Sequence, residues 1–295
     1  MYIRTYIRNL ALERHARTPS RARKLQSKIF NRAIQRKGMA NYDIVGSIAI
    51  VKFPRDAKRS DKLRFAREFL SKHKHIKTVL EKSDKFKGRL RTQKTRYLAG
   101  VRTTETIHKE NGCVFYVDVE KCYFSPRLSE ERKEIAGKVK PGERVLVMFG
   151  GVAPYAIVIA KLSKAKEVVS VELGRACTKY AKLNVEKNKL QDRVEVLQGD
   201  VKRVVPKLKG KFDRIVMPRP KLKESFLEQA LAKIKRLGSI HFYGFAGEEE
   251  KRKLVEEIKK ECARHGKKIK VSRVKKAGDI GKKFYRWRVD FRVLN

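Results

Sequence analysis

Apolar residues recur through the second half of the chain in short runs that alternate with amphipathic segments. Apolar, β-branched runs predict strands at 144–149, 167–172, 194–197, 212–217 and 239–245. Apolar positions at helical spacing predict helices at 152–162, 175–187, 224–235 and 249–265. Strands alternating with helices of this length predict a mostly parallel sheet covered on both faces. The final stretch holds two strands with no helix between them, which indicates an antiparallel hairpin at one sheet edge.

The first part of the chain has a different pattern. Residues 1–40 place apolar residues at helical spacing among many arginines and lysines, and Pro19 divides them into two predicted helical pieces. From Asn41 the stretch YDIVGSIAIVKF predicts a strand or hairpin, residues 62–74 an amphipathic helix, and 76–100 two strands joined by a basic loop. We therefore divide the chain into a basic helical extension at 1–40, a small α+β domain at 41–111 and an α/β domain at 112–295.

The charge of the chain is far from balanced. Lysine and arginine total 75 against 32 acidic residues, a formal net charge of +43, and the excess runs along the whole length. Such an excess favours a nucleic acid partner over a merely solvated surface.

Four cysteines lack the close pairing of a zinc site, which predicts buried thiols in a reducing cytoplasm. No apolar run reaches the roughly 18 residues of a membrane span, and no leftover apolar helix face indicates an oligomer, so we expect a cytoplasmic monomer.

Chemistry-bearing residues follow the ends of consecutive predicted strands. VLVMFGGVAPY places a Gly-Gly turn after the first strand, SVELG an acid after the second, QGD an acid after the third, and MPRP a turn after the fourth. Such strand ends meet at one crevice of a parallel sheet, where a carboxylate can accept hydrogen bonds from ribose hydroxyls. The candidate cofactor residues are Phe149, Gly150, Gly151, Glu172, Leu173, Asp200, Pro218 and Pro220. A P-loop lysine and a full dinucleotide fingerprint are absent, which favours a nucleoside without a triphosphate, S-adenosylmethionine.

The order of these motifs, together with TETIHKENGCVFYVDVEKCYFSPRLSEER ahead of them, resembles the archaeal and eukaryotic type of tRNA (guanine-37, N1) methyltransferase over about residues 42–295. The resemblance implies a Rossmann-like methyltransferase domain preceded by a small RNA-binding domain. It also implies methyl transfer from S-adenosylmethionine to guanosine 37, with the anticodon stem-loop of tRNA as partner.

The resemblance also assigns roles within the site. It implies that Glu131 is the general base and that Tyr123, Arg127 and Arg132 complete its motif. It also implies that Arg91 steadies charge on the guanine oxygen, with Arg89 as the alternative. Guanine N1 carries a proton and becomes nucleophilic only when a base removes it, while negative charge grows toward O6. A first-turn acid that merely complements the helix dipole is the other interpretation of Glu131.

Basic residues in the extension, the loop of the small domain and the turn after the fourth strand are candidate RNA contacts. They are Arg21, Arg23, Lys24, Lys85, Lys87, Arg89, Arg96 and Lys221. The chain departs from the family pattern at Val147, where an acid is usual, at Ala153, where glycine is usual, and at Pro218, where asparagine is usual. These departures leave two alternatives open: an aminocarboxypropyl transferase of wyosine formation with the same fold, and a non-catalytic RNA-binding protein.

Overall fold

The structure, a computed structural model, describes residues 41–83, 88, 90–281 and 283–295. The predicted helical extension at 1–40 lies outside the described residues. Among the residues that are described, no helix combines the length and apolarity needed to cross a lipid bilayer.

A four-stranded sheet with one helix forms the first folded unit. Its elements are β1 (Asn41–Val45), β2 (Ile48–Lys52), α1 (Arg59–Lys72), β3 (Thr78–Lys82) and β4 (Thr95–Gly100). The strands lie in the order β1-β2-β3-β4, and β1 and β2 form the predicted hairpin around Gly46, whose φ is +55°. β2 and β3 are parallel because α1 crosses between them. Ala66 and Phe69 of α1 pack with Ala49 and Val51 in a small apolar core.

A two-stranded hairpin follows, formed by β5 (Glu105–Glu110) and β6 (Cys113–Asp118). The side chains of Asn184 and Asn188 hold it: their amide oxygens accept hydrogen bonds from the backbone N–H groups of Tyr116 at 2.7 Å and Val114 at 2.9 Å. The expected domain boundary between residues 111 and 112 therefore falls in the turn of this hairpin. The division itself stays a prediction.

A seven-stranded sheet forms the centre of the larger unit. Its strands are β7 (Arg144–Met148), β8 (Glu167–Glu172), β9 (Val194–Gln198), β10 (Phe212–Met217), β11 (Ile234–Gly247), β12 (Ile269–Gly281) and β13 (Phe284–Val293). They lie in the order β12-β13-β11-β10-β7-β8-β9, and neighbours from β11 to β9 are parallel. β13 is antiparallel to both β11 and β12. The predicted fold class, with its antiparallel hairpin at one edge, is confirmed.

Six α-helices cover the two faces of this sheet. They are α2 (Ser129–Gly137), α3 (Pro154–Leu162), α4 (Arg175–Lys187), α5 (Val201–Val204), α6 (Leu227–Lys233) and α7 (Lys251–Arg264). Buried residues of α2, α3 and α4 share one apolar core, and those of α5, α6 and α7 share another. The sheet is thus buried on both sides, which explains why its strands read as nearly continuous apolar runs.

One predicted helix is shorter than the pattern indicated. The sequence predicts a helix at 224–235, but α6 begins only after Phe226, whose φ of +62° lies in the left-handed region. At the other end, Ile234 leaves the helix and pairs with Phe212 of β10. Tertiary strand pairing therefore overrides a local pattern that suits a longer helix.

Candidate active site

A pocket opens at the carboxyl ends of the central strands. β7 leads into α3 on one face of the sheet, whereas its neighbour β10 leads to α6 on the other, and a crevice forms where the connections diverge. All the predicted cofactor residues line it: Phe149, Gly150, Gly151, Glu172, Leu173, Asp200, Pro218 and Pro220. The structure therefore brings these strand-end residues together around one crevice.

Glu172 is fixed at the end of β8 by backbone amides. Its two carboxylate oxygens accept hydrogen bonds from the N–H groups of Gly151 and Gly174, each at 2.7 Å. Burial raises the pKa of the Glu172 carboxyl, and these backbone hydrogen bonds offset that effect only in part. Because each carboxylate oxygen can accept more than one hydrogen bond, the side chain keeps capacity for the two hydroxyls of a ribose.

The Gly-Gly turn brings backbone close to the pocket. Phe149 and Gly151 adopt φ values of +62° and +58°, and the Gly150 N–H donates to the Val171 carbonyl at 2.9 Å. A Cβ atom on Gly150 would lie 2.1 Å from the Ser170 Oγ, so a side chain has no room there. Gly150 therefore packs closely against β8, and the turn presents backbone to the pocket at the start of α3, where a nucleoside ligand can approach.

The departures from the family pattern occupy distinct places. Val147 is fully buried within β7, between Ser170 and Val216 of the neighbouring strands. Ala153 adopts a φ of +65°, a conformation that glycine tolerates better.

Asp200 lines the pocket and also caps α5, where its carboxylate accepts a hydrogen bond from the N–H of Lys202, the second residue of the helix, at 3.0 Å.

Two arginines flank Tyr123 in the pocket. The Arg91 guanidinium carbon lies 4.2 Å from the centre of the Tyr123 ring, and Arg286 Nη2 donates to the Tyr123 hydroxyl at 3.4 Å. Burial acts to raise the pKa of Tyr123, but the cations of Arg286 and Arg91 outweigh burial and bring that pKa below its ordinary value. All three side chains line the pocket. An aromatic ring beside two cations suits a flat, electron-rich group that gains negative charge.

Glu131 lies in a buried cluster beside the pocket. Its Oε1 atom accepts hydrogen bonds from Arg288 Nη1 and, at 2.7 Å, from the Tyr243 hydroxyl, while Oε2 lies 3.4 Å from Lys275 Nζ. Glu131 is 6% exposed and is not among the described residues that line the pocket. Tyr155 does line it, and its ring centre lies 5.9 Å from that of Tyr243. Two tyrosines therefore separate the predicted base from the pocket.

The neighbouring arginines of the motif have different surroundings. Arg127 Nε donates to Asp43 at 2.6 Å, so this predicted catalytic residue contacts the four-stranded unit. Arg132 lines the pocket and forms a two-pronged ion pair with Glu110, with both N···O distances at 2.5 Å. Arg132 is 1% exposed, so this pair fastens the β5–β6 hairpin to α2.

The predicted RNA contacts are only partly described. Six of them lie outside the described residues: Arg21, Arg23, Lys24, Lys85, Lys87 and Arg89. Arg96 is largely exposed and lies 3.6 Å from Glu81. Lys221 Nζ lies 4.1 Å from the centre of the Phe284 ring, near the hairpin.

Sequence reasoning missed two pocket arginines, Arg219 in the MPRP turn and Arg286 on β13. In a chain with 75 basic residues neither is conspicuous. Two weak signals were available. Arg219 sits inside the turn already placed at the crevice, and Arg286 begins an alternating RWRVD stretch that predicts a strand with charge on one face.

Comparison with known proteins identifies related chains. Residues 106–271 match the family described as the TRM5/TYW2 methyltransferase domain, and residues 23–103 match the TYW2 N-terminal domain. The tRNA (guanine(37)-N(1))-methyltransferase Trm5b of Pyrococcus abyssi is 36% identical over 254 residues, 86% of this chain and 74% of that protein. Taw22 of Nanoarchaeum equitans, a tRNA (guanine(37)-N(1))/4-demethylwyosine(37)-methyltransferase, is 35% identical, covering 86% and 100%. A tRNA(Phe) (4-demethylwyosine(37)-C(7)) aminocarboxypropyltransferase of Methanocaldococcus jannaschii is 33% identical, covering 68% and 77%.

Solved structures of similar proteins share the fold. The complex of aTrm5 with tRNALeu superposes with a TM-score of 0.78 at 28% identity, covering 92% of this chain and 78% of that one. The crystal structure of Pyrococcus abyssi Trm5b gives a TM-score of 0.77 at 35% identity, covering 86% and 75%. Methanocaldococcus jannaschii TYW2 in complex with AdoMet gives 0.67 at 25% identity, covering 86% and 100%.

Proposed function

The chain belongs to the TRM5/TYW2 methyltransferase family, and from that premise we propose that it transfers the methyl group of S-adenosylmethionine to N1 of guanosine 37 in tRNA. Two relatives that match 86% of the chain are named for methylation of this nucleotide. S-adenosylmethionine is the cofactor of the family, and it supplies the electrophilic methyl group when it is bound.

The pocket fits that cofactor. Glu172 keeps acceptor capacity for ribose hydroxyls, the turn at Gly150 and Gly151 lines the pocket with backbone, and Asp200 lies on the same edge. These residues would hold the nucleoside half. The remainder of the ligand would extend toward the end of β10.

The observation that carries the proposal is the position of Arg91, Tyr123 and Arg286 in this same pocket. Removal of the guanine N1 proton leaves negative charge that grows toward O6, and preorganised cationic donors stabilise such charge. An aromatic face offers a stacking surface for an extruded base. We assign Tyr123 to stacking and Arg91 to the oxygen, with Arg286 beside it.

We propose Glu131 as the group that finally accepts the N1 proton. Its Oε1 atom accepts a hydrogen bond from the Tyr243 hydroxyl, and the Tyr243 ring packs against Tyr155, which lines the pocket, with ring centres 5.9 Å apart. A proton taken up by the Tyr243 hydroxyl is balanced by the proton that this hydroxyl passes to Glu131. Arg127 is proposed to position the motif through its contact with Asp43 rather than to touch the guanine.

Transfer RNA as the partner is supported by the net charge of +43 and by the tRNA complex of a related enzyme. We propose that the extension at 1–40 and the domain at 41–111 contact tRNA and that 112–295 carries the chemistry, near the anticodon stem-loop. Arg96, which the structure places on β4, is available for such contact, since 62% of its side chain is exposed.

The decisive experiment is mass analysis of the product nucleoside. Purified protein, S-adenosylmethionine and an unmodified tRNA transcript with guanosine 37 should yield 1-methylguanosine at that position. A transcript with adenosine 37 is the matched control and should stay unmodified. Cofactor binding with no methylation of any tRNA transcript would remove the proposal.

Aminocarboxypropyl transfer is the second candidate, because residues 23–103 match the TYW2 N-terminal domain and Pro218 stands where the family often has asparagine. A tRNA carrying 4-demethylwyosine at position 37 tests it, since the two transferred groups differ in mass. A protein that binds tRNA but no S-adenosylmethionine would instead support the non-catalytic alternative.

A further inference from the structure

Arg219 is a buried arginine in the turn that follows β10. Only 8% of the residue is exposed, and its guanidinium carbon lies 5.0 Å from the centre of the Phe242 ring. Its Nη1 atom donates to the carbonyl oxygens of Glu224 at 2.8 Å, Leu222 at 3.1 Å and Pro220 at 3.4 Å. The turn therefore wraps around one end of the guanidinium, and the residue lines the pocket.

The charge of Arg219 lacks a counter-ion among the described residues. No carboxylate of the described chain forms an ion pair with it, and its Nε atom is buried without a hydrogen-bond partner there. Glu261, the acid that acts on it electrostatically, accepts a hydrogen bond from Ser225 instead. Burial lowers the pKa of Arg219 to about 10. Since buried charges in proteins are normally paired, this arrangement calls for an anionic ligand.

We propose that Arg219 binds the α-carboxylate of S-adenosylmethionine, an inference that rests on the proposed function. The carboxylate is the one anionic group of that cofactor, and the planar fork of arginine matches it with two parallel hydrogen bonds. Arg219 is thus a specificity-determining residue for the methionine end.

Sheet topology places Arg219 at a suitable distance from the ribose site. β8, which ends at Glu172, and β10, which leads to Arg219, lie on opposite sides of β7 and its Gly-Gly turn. Strands are spaced by about 4.8 Å, so the two strand ends are roughly 10 Å apart. A nucleoside held at Glu172 that extends across the turn therefore reaches the Arg219 side of the pocket with its amino-acid arm.

A phosphate of the bound RNA is the other anion that could pair with Arg219. The low exposure of the side chain argues against it, because backbone phosphates remain at the surface of a nucleic acid. The carboxylate of a small ligand can enter the pocket completely.

Calorimetric titration of the full-length protein tests the inference with three ligands: S-adenosylmethionine, its decarboxylated analogue and 5′-methylthioadenosine. The unaltered protein should bind S-adenosylmethionine about 10- to 100-fold more tightly than the decarboxylated analogue, as a charge-assisted hydrogen-bonded pair implies. Arg219→Leu should lose that factor for S-adenosylmethionine and bind the other two ligands as before. Lys223→Leu, which removes one exposed charge from the same turn, is the matched control and should bind all three like the unaltered protein.

Several outcomes would overturn the inference. Equal affinity of the unaltered protein for S-adenosylmethionine and its decarboxylated analogue would do so, and this comparison requires no variant to fold. Equal loss for all three ligands in Arg219→Leu would also contradict it, because a contact with the carboxylate alone should spare the two ligands that lack this group. Weaker tRNA binding with unchanged cofactor binding in Arg219→Leu would assign Arg219 to a phosphate.

The inference and the proposed function can fail separately. A protein that binds S-adenosylmethionine more tightly than its decarboxylated analogue but yields no 1-methylguanosine would keep the inference and remove the proposed function.

Discussion

Substitution of Gly150 by alanine tests whether the Gly-Gly turn is shaped by contact with β8. A Cβ atom at Gly150 would lie 2.1 Å from Ser170 Oγ, whereas the next nearest atoms, Ser170 Cβ and the Val171 carbonyl oxygen, lie at 3.5 and 3.6 Å. The optimum carbon contact is about 3.5–4.0 Å, so one oxygen atom causes the whole overlap. Gly150 does not have a positive φ. We therefore expect Gly150→Ala to destabilise the fold by about 1–3 kcal/mol, the usual cost of overpacking.

Removal of Ser170 Oγ should reverse most of that loss. This hydroxyl is buried and has no hydrogen-bond partner among the described residues, so Ser170→Ala alone should be close to neutral or slightly stabilising. The double variant should recover about 1–3 kcal/mol relative to the sum of the single changes. Gly151→Ala is the control: its φ is +58° and no atom lies closer than 3.7 Å, so its cost of about 1–2 kcal/mol comes from the backbone and should persist with Ser170→Ala.

Urea unfolding of the unaltered protein and the five variants, including Gly151→Ala combined with Ser170→Ala, is followed by circular dichroism and gives the free energies of unfolding. Calorimetry with S-adenosylmethionine gives cofactor affinity. Gly150→Ala should also weaken cofactor binding, and Ser170→Ala should restore it if the turn recovers its shape. Strict additivity of the two changes would refute the reasoning. So would an equal rescue of Gly151→Ala.

Three further outcomes are expected. Glu131→Gln should lower the rate of single-turnover methyl transfer about 100-fold or more, with cofactor and tRNA affinity unchanged. Glu134 shares the basic partners of Glu131 but does not contact Tyr243, so Glu134→Gln should stay near the original rate. Equal losses of rate in the two variants would indicate a structural role for both residues. Arg286→Met should raise the pKa of Tyr123 by removing a cation beside its buried ring, seen as a phenolate absorbance that appears at higher pH and vanishes in Tyr123→Phe. Burial acts to raise the pKa of Glu134, but hydrogen bonds from Arg288 and Lys275 lower this pKa to about 2. The carboxylate therefore stabilises the fold fully above pH 4.5, and this contribution is lost as the pH falls toward 2. Urea midpoints measured between these pH values should fall with pH, and Glu134→Gln should make that fall smaller.

The sheet could be predicted because burial leaves a direct trace in the sequence. Runs such as VLVM and VVSVE are apolar throughout since both faces of β7 and β8 are covered. The helix at Arg175–Lys187 was predicted with its observed ends, because Gly174 precedes it and its apolar stripe ends at Val185 in the last turn. The helix at 224–235 was overestimated, since a left-handed Phe226 and the pairing of Ile234 with β10 are decided by tertiary contacts.

The pocket could be predicted only where strand ends specify it. Strand ends located Gly150 and Glu172 because the carboxyl edge of a parallel sheet collects whatever follows each strand. The ion pairs of Glu131 were not accessible in this way. Its partner Arg288 lies 157 residues further along the chain and reaches it only after the C-terminal hairpin folds back on α2.

That hairpin, which breaks the βα rhythm of the sequence, delivers the cations that surround the proposed chemistry. Side chains two residues apart on a strand point to the same face, so Arg286 and Arg288 of β13 face the same side, one meeting Tyr123 and the other Glu131. The opposite face of β13 is anchored by Val289 in the apolar core shared with α7. Because a one-residue slip would exchange the two faces, packing of the apolar side fixes the register of the charged side. The β12–β13 hairpin is therefore part of the site. The stability of β13 and the positions of Arg286 and Arg288 both depend on its register of nine residue pairs with β11.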